Sequence, residues 1–281
     1  MNLHMSISAP SDPSATQFSG PVAPAANVER SDGPCAPAPM LSPSAHMIGE
    51  RWNELAEIKM NAWRLARHRI VAATRAHDTH LAIDVLRTKL MGMIRQNGWK
   101  TLGITSPRGG SGKTTLALNL AFSFAWQADF RVGLLDLNLR RPKISRVLHC
   151  EQSHDIEGFL RGYRSMPQSI IRHRNNLVVA TNALPVPQPA ELLMECVPGT
   201  AISGMREMLG LDLILYDLPP MLASDDALAV LPGVDAMLLV AAAGETTTRE
   251  LDICERELSR PGKLAGIVLN KCRFLPERFG Y

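Results

Sequence analysis

Short apolar runs alternate with longer amphipathic segments over residues 101–270. The short runs are typical of buried strands, and the segments between them have the spacing of helices. This alternation favours an α/β fold, a doubly wound and mainly parallel sheet with helices on both faces. Strands are predicted at residues 101–105, 131–136, 177–181, 212–216, 235–241 and 264–269, and helices at 114–127, 142–149, 189–196, 199–209, 224–231 and 247–259.

The N-terminal third lacks this alternation. Residues 1–46 contain eight prolines with many alanines and serines, a composition that predicts a disordered tail. From 48 to 76 the apolar and basic residues have helical spacing, and a second helix is predicted at 80–97. The first of these is expected to pack on the domain or on a partner, with contact to an anionic membrane surface as the alternative. The chain is therefore divided into the tail, a helical N-terminal extension at 47–99 and a main domain at 100–281.

The stretch Thr-Ser-Pro-Arg-Gly-Gly-Ser-Gly-Lys-Thr-Thr at residues 105–115 joins the first of these strands to the helix at 114–127. A strand, a glycine-rich turn and a helix start place several backbone N–H groups around one point, where the helix dipole favours negative charge. A turn that only connects strand and helix is the alternative, but Gly-Lys-Thr in this context favours a nucleotide phosphate site of the P-loop NTPase type. The residues predicted to bind the nucleotide here are Arg108, Gly109, Gly110, Ser111, Gly112, Lys113, Thr114 and Thr115.

Two predicted strands end at an aspartate. Asp136 closes one strand, and Asp217 follows another and precedes two prolines. An acid beside a phosphate loop can orient Mg²⁺-bound water or accept a hydroxyl proton, whereas capping a helix or closing a turn is the alternative. We predict Thr114, Asp136 and Asp217 as metal ligands, and Lys113, Asp136 and Asp217 as the catalytic residues.

Composition narrows the class of protein. Hydrophobic residues make up 46% of the chain, enough for a substantial core. The five cysteines include no Cys-x-x-Cys pair, so neither a disulfide framework nor a zinc site is indicated. The N-terminus lacks signal-peptide features, and Pro232, Gly233 and Asp235 interrupt the longest apolar region, so a cytoplasmic protein is expected. The formal charge of +3 is too small to indicate nucleic acid as a partner.

These blocks, in this order, resemble the bacterial tyrosine kinases of the CpsD/CapB type, which act in capsule and exopolysaccharide biosynthesis and belong to the MinD/ParA-like P-loop ATPases. The resemblance covers about residues 80–273. It implies ATP and Mg²⁺ as cofactors, with Lys113 on the β- and γ-phosphates, Asp136 activating the acceptor tyrosine and Asn270 contacting adenine. It also implies a separate membrane polysaccharide copolymerase as activator, which would hold the protein at the inner face of the plasma membrane. The matching segments include Leu86-Arg87-Thr88, Asp136 to Pro142, Tyr216-Asp217-Leu-Pro-Pro, Asp226-Ala and Gly266-Ile-Val-Leu-Asn270-Lys271.

Several positions depart from that family's pattern. Asn138 replaces a second aspartate, and an amide binds Mg²⁺ more weakly and cannot take a proton. Arg108 replaces the extra lysine of the MinD- and ParA-like loop, only Arg87 remains of the ring-forming Glu-x-x-Arg-x-x-Arg motif, and the terminal tyrosine cluster is reduced to Tyr281. These differences keep open a MinD/ParA-like ATPase switch or an ATP-binding scaffold as alternatives, and leave homo-oligomer formation undecided.

Overall fold

The computed structural model describes residues 4–6, 44–75, 80–150 and 155–272, and all of these residues lie in one compact unit. Most of the predicted tail, as well as Tyr281, lies outside the described residues. The strands are β1 (His4–Ser6), β2 (Ala56–Glu57), β3 (Thr101–Thr105), β4 (Val132–Asp136), β5 (Ile170–His173), β6 (Leu177–Ala180), β7 (Leu213–Asp217), β8 (Ala236–Ala242) and β9 (Leu264–Asn270). The helices are α1 (Ala45–Glu54), α2 (Ala62–Arg67), α3 (Leu81–Asn97), α4 (Lys113–Ala125), α5 (Ile144–Leu148), α6 (Ile156–Leu160), α7 (Met166–Ser169), α8 (Pro189–Cys196), α9 (Thr200–Leu209), α10 (Asp226–Ala229) and α11 (Thr248–Ser259).

The described strands form a nine-stranded sheet in the order β1-β9-β8-β3-β7-β4-β6-β5-β2. Neighbouring strands are parallel except for two pairs, β1 with β9 and β5 with β6. The predicted α/β fold with a mainly parallel sheet is therefore confirmed. The first strand after the N-terminal helices, β3, lies in the middle of the sheet between β7 and β8, so the loop that follows β3 is central as well.

Apolar side chains cover both faces of the sheet. Leu213 and Leu215 of β7 belong to one buried cluster, together with residues of α3 and α4, whereas Ile214 and Tyr216 belong to a second cluster with residues of α9. Successive residues of a strand point to opposite faces, so this division shows that helices bury the sheet on both sides. Across the described ranges, no helix is long and apolar enough to cross a membrane.

The helical pattern predicted for residues 48–76 is interrupted, and for residues 56–60 it was wrong. Ala56 and Glu57 form β2, which pairs in parallel with β5 at the edge of the sheet, and the Ile58 N–H donates to the Arg172 carbonyl at 2.9 Å. The side chain of Asn61 then accepts from the Arg64 N–H and starts α2. The edge of β5 offers hydrogen-bond partners to the backbone of residues 56–58. The spacing of apolar side chains along the sequence cannot reveal such a partner. Strand β5 was itself missed because its apolar part is only Ile170 and Ile171.

Trp52 anchors the N-terminal segment to the rest of the domain. Its side chain is 3% exposed, and its indole N–H donates to the Leu209 carbonyl at the end of α9 at 2.9 Å. Arg131 lies over the indole ring at 6.0 Å from the centroid. A buried aromatic with a satisfied polar group contributes strongly to stability, so α1 is part of the folded core rather than an appendage.

We expect Trp52→Ala to lower the free energy of unfolding by about 3–5 kcal/mol, because it removes a buried aromatic side chain and leaves a cavity. Trp63→Ala is the matched control, since Trp63 is 68% exposed and is expected to change stability by less than about 0.5 kcal/mol. Guanidinium unfolding curves of both variants measure the difference. Equal effects would show that α1 does not belong to the cooperative core.

Candidate nucleotide-binding and catalytic site

The glycine-rich loop between β3 and α4 is held by the segment that follows β7. The Thr105 hydroxyl donates to the Pro219 carbonyl at 2.7 Å, and the Met221 N–H donates to the Ser106 carbonyl at 2.9 Å. Gly110 and Gly112 have φ values of 90° and 88°, a region that favours glycine. The predicted nucleotide-binding residues 108–112 make up this loop, and Lys113, Thr114 and Thr115 form the first turn of α4.

Asn270 supports the same loop from the other side. Its side-chain amide donates to the Ser111 carbonyl at 2.9 Å. A side chain at position 112 would collide with this amide, so the glycine is needed for close packing as well as for its φ angle. Asn270 therefore lies at the loop; the predicted contact with adenine stays a prediction.

Asp217 lies at the end of β7, beside the first turn of α4. Both of its carboxylate oxygens are buried, and neither accepts a well-formed hydrogen bond from the described residues, although the Thr114 hydroxyl is near enough to act on the carboxyl group. Burial raises the pKa of Asp217, and the charge of Lys113 and the hydroxyl of Thr114 act in the opposite direction. Lys113 is itself buried. Asp217 thus lies beside Lys113 and Thr114, although about one hundred residues separate it from them in the sequence.

Asp136 lies opposite Asp217, because the two residues are register partners at the ends of β4 and β7. One carboxylate oxygen, Oδ2, accepts the N–H groups of Lys143 and Ile144 at 3.0 Å each, at the start of α5. The other oxygen, Oδ1, accepts the Asn138 N–H at 3.3 Å. Burial first, and then the charge of Asp217, raises the pKa of Asp136 from 3.8 to about 7. The aspartate thus both holds the start of a helix and is placed beside the candidate metal ligands.

Asn138 is also buried at this site, two residues beyond Asp136. Its carbonyl accepts the Arg141 N–H at 2.9 Å, which closes the turn after β4. The position that departs from the family pattern is therefore near the predicted chemistry and not at the periphery.

The donor set of the described residues fits Mg²⁺. Asp217 supplies two buried oxygens, Thr114 a hydroxyl and Asp136 a second carboxylate, and oxygen ligands of this kind are what Mg²⁺ prefers. Within the described ranges, no group of three or more histidine, cysteine or acidic side chains is placed to hold a metal ion. Mg²⁺ is commonly bound by one or two carboxylates together with nucleotide phosphates.

Arg108 and Glu250 form an ion pair that the sequence did not indicate. The Arg108 side chain is 75% exposed, whereas that of Glu250 is 8% exposed. Glu250 also completes a capping box with Thr247 at the start of α11, and its bonds to Thr247 lower its pKa. Arg108 and Glu250 also line a groove of about 610 Å³ beside the loop. The Thr-x-x-Glu spacing at 247–250 was a visible capping signal, but it gave no sign of the partner at Arg108.

A second missed pair connects the segments that follow β4 and β7. The Arg140 guanidinium donates to both oxygens of Asp226 at 2.6 and 2.9 Å, and the Ser224 hydroxyl donates to the same carboxylate at 2.9 Å. The Asp226 side chain is almost fully buried. This two-point contact fixes the two segments relative to each other, which holds Asp136 and Asp217 in place from outside the site.

A family model described as ParA, NUBPL iron-transfer P-loop NTPase, matches residues 99–276. The fold alone is shared with the septum site-determining protein MinD of Pyrococcus horikoshii complexed with Mg-ADP, with a TM-score of 0.50 and 19% identity over 60% of this chain and 68% of that one. Sheet order, loop and family model together define a P-loop NTPase of the ParA class.

Two relatives narrow the class further. Tyrosine-protein kinase CpsD of Streptococcus pneumoniae serotype 4 is 30% identical over 184 residues, which are 64% of this chain and 80% of CpsD. The kinase domain of Escherichia coli tyrosine kinase ETK has a TM-score of 0.64 at 28% identity, over 85% of this chain and 99% of that domain. The match spans only 26% of the whole Etk protein. The chain belongs to the family of bacterial tyrosine-protein kinases.

The raised pKa of Asp136 predicts a specific pH dependence of stability. The unfolded chain releases this proton near pH 3.8 and the folded protein near pH 7, so the ligand-free folded state loses stability as the pH rises between these values. Asp136→Asn removes this titration. We therefore expect the difference in unfolding free energy, wild type minus variant, to fall from about pH 4 to about pH 7 when urea unfolding is measured without nucleotide and with EDTA.

The control is Asp252→Asn, at an exposed position of α11. Its difference from wild type is expected to stay level over the same range. A level profile for Asp136→Asn as well would contradict the account of Asp136 as a carboxyl group with a raised pKa.

Proposed function

We propose that the protein is an ATP- and Mg²⁺-dependent tyrosine autokinase that acts in exopolysaccharide or capsule biosynthesis. The observation that carries the proposal is the meeting of Lys113, Thr114 and the two buried oxygens of Asp217 beside a glycine-rich loop. The membership in a kinase family adds the reaction class, and the CpsD relative supports the polysaccharide setting.

The residues of the site have different roles in the proposed phosphoryl transfer. Backbone N–H groups of residues 108–114 and the Lys113 ammonium bind the phosphates and stabilise charge on the transferred group, which is the main source of catalysis in such reactions. Thr114, Asp217 and Asp136 supply oxygens for Mg²⁺. When bound, Mg-ATP supplies the γ-phosphoryl group and the metal's positive charge.

Asp136 is proposed to accept the proton of the tyrosine hydroxyl. The bond from the tyrosine oxygen to phosphorus forms as the bond to ADP breaks, and the hydroxyl proton moves to the carboxylate. Asp136 must be in its carboxylate form to accept this proton, and a bound Mg²⁺ favours that form over the protonated one, which the raised pKa favours in the metal-free protein. Oδ1 accepts one backbone N–H at 3.3 Å and keeps a lone pair for this proton.

Two features of the site, at Asp136 and Asn138, favour a second function. Three backbone N–H groups engage Asp136, as in a helix-capping role, and Asn138 lacks the charge of the family's second aspartate. A nucleotide switch that hydrolyses ATP without modifying tyrosine would be compatible with both features.

We further propose that a separate membrane polysaccharide copolymerase docks and activates the protein, which would place it at the cytoplasmic face of the plasma membrane. The support is the resemblance to CpsD-type kinases and the 80% coverage of CpsD. Within the chain, we retain the proposed division into a tail at 1–46, an extension at 47–99 and an ATP-binding domain at 100–281.

The test is incubation of the purified full chain with γ-labelled ATP and Mg²⁺, with a tyrosine-containing synthetic polymer present, followed by separation of phosphotyrosine from free phosphate. We expect label on tyrosine, and a loss of about 100-fold or more in Lys113→Met, because the loop loses its cation. Lys89→Met, at an exposed position of α3, is the matched control and is expected to keep full labelling.

Asn138→Asp is the second arm of the same experiment. A carboxylate at this position adds charge beside Asp136, so labelling of tyrosine is expected to rise. Release of free phosphate without any label on tyrosine, in both wild type and Asn138→Asp, would overturn the kinase in favour of the switch.

A further inference from the structure

A second cavity lies at the amino-terminal ends of β3 and β8, away from the phosphate-binding loop at the other end of β3. Its volume is about 380 Å³, and the first turns of α9 form one wall. None of the residues predicted to bind nucleotide or metal lines it. The cavity is thus separate in the sheet from the candidate catalytic site.

Tyr216 lines this cavity and carries an unsatisfied polar group. The residue is 0% exposed, and its hydroxyl has no hydrogen-bond partner in the part of the chain that the structure describes. Its position on β7 is adjacent to Asp217, but its side chain belongs to the cluster on the α9 face. Buried hydroxyl groups normally have a partner, because leaving one unpaired is costly. A ligand that enters the cavity would supply one.

The other polar groups around the cavity are mostly donors. No side chain caps the start of α9, where Gly199 is the N-cap residue, so the first N–H groups of the helix point to this end with the positive end of its dipole. Arg206 lines the same wall, and its ion pair with Glu207 is long at 3.8 Å. The Lys263 ammonium donates to the Val234 carbonyl at 2.6 Å and keeps two further N–H groups.

Asp235 is the one acidic residue in the cavity lining that the structure describes. Its Oδ2 already accepts the N–H groups of Lys100 and Thr101 and the Thr101 hydroxyl, at 2.7, 2.8 and 3.0 Å. Burial raises the pKa of the Tyr216 hydroxyl, the charge of Asp235 raises it further, and the charge of Arg206 lowers it, so both side chains lie near this hydroxyl. Donors at the start of β3 thus satisfy Oδ2 of Asp235, and the three basic lining residues, Lys100, Arg206 and Lys263, outnumber this one acid, so the net charge of the lining is positive.

We propose that this cavity binds the phosphoryl group of a small anionic molecule. The α9 N–H groups, the Arg206 guanidinium, the Lys263 ammonium and the Tyr216 hydroxyl come from different elements around the cavity, and a tetrahedral phosphoryl group presents its oxygens in more directions than a planar carboxylate does. The volume is within the range of small-ligand sites.

The test uses inorganic phosphate as the probe and the full chain, with the P-loop first saturated with Mg²⁺ and a non-hydrolysable ATP analogue. Thermal unfolding is compared in sodium phosphate and in sodium chloride at equal ionic strength. We expect phosphate to raise the Tm of the wild type, since a ligand that binds only the folded state stabilises it. Arg206→Gln is expected to lose at least half of that shift, and the matched surface variant Arg95→Gln to keep it.

Tyr216→Phe separates binding from folding. Because the hydroxyl has no protein partner, its removal is expected to leave the Tm in chloride unchanged or higher, and to reduce the phosphate-dependent shift. The proposal is overturned if phosphate gives no shift in wild type, if Arg206→Gln and Arg95→Gln keep equal shifts, or if Tyr216→Phe lowers the Tm in chloride.

Discussion

The structure depends most on the pairing of β4 with β7, which places the carboxyl groups of Asp136 and Asp217 side by side in a buried setting. Two like charges out of water repel each other and lack solvation, so this arrangement favours either a shared proton or a nearby cation. Burial raises the pKa of both residues, and the charge of Asp217 adds to the rise at Asp136. A cation bound between the two carboxylates would relieve this electrostatic cost.

The rest of the site can be understood as support for that pair. The loop is fixed by the segment after β7 through Thr105 and Met221, and by the end of β9 through Asn270. Arg140 ties the segment that follows Asp136 to Asp226 beyond β7. All of these contacts lie at the carboxyl ends of parallel strands, and those between β3 and β7 and between β4 and β7 join direct neighbours in the sheet, whereas Asn270 reaches the loop from β9, one strand further away. The same sheet leaves a cationic cavity at its other end, around Tyr216 and Arg206.

The sequence alone predicts those parts of the site whose residues lie together in one short segment. Gly110, Gly112 and Lys113 define a loop by their order alone, and Asp136 and Asp217 are recognisable because each ends an apolar run. The pairing of Arg108 with Glu250, or of Arg140 with Asp226, could not be predicted, because each pair joins residues more than eighty positions apart. Strand β2 is only two residues long and exists because β5 offers an edge. Side-chain periodicity contains no such information.

The most direct test of the central claim is calorimetric titration of ATP into wild type and Asp217→Asn, each with and without Mg²⁺. If the buried Asp217 oxygens help to hold the metal, Mg²⁺ strengthens ATP binding in wild type, and the variant loses most of that strengthening. Binding without Mg²⁺ is expected to persist in the variant, because Lys113 and the loop N–H groups remain. An undiminished effect of Mg²⁺ in Asp217→Asn would contradict the account.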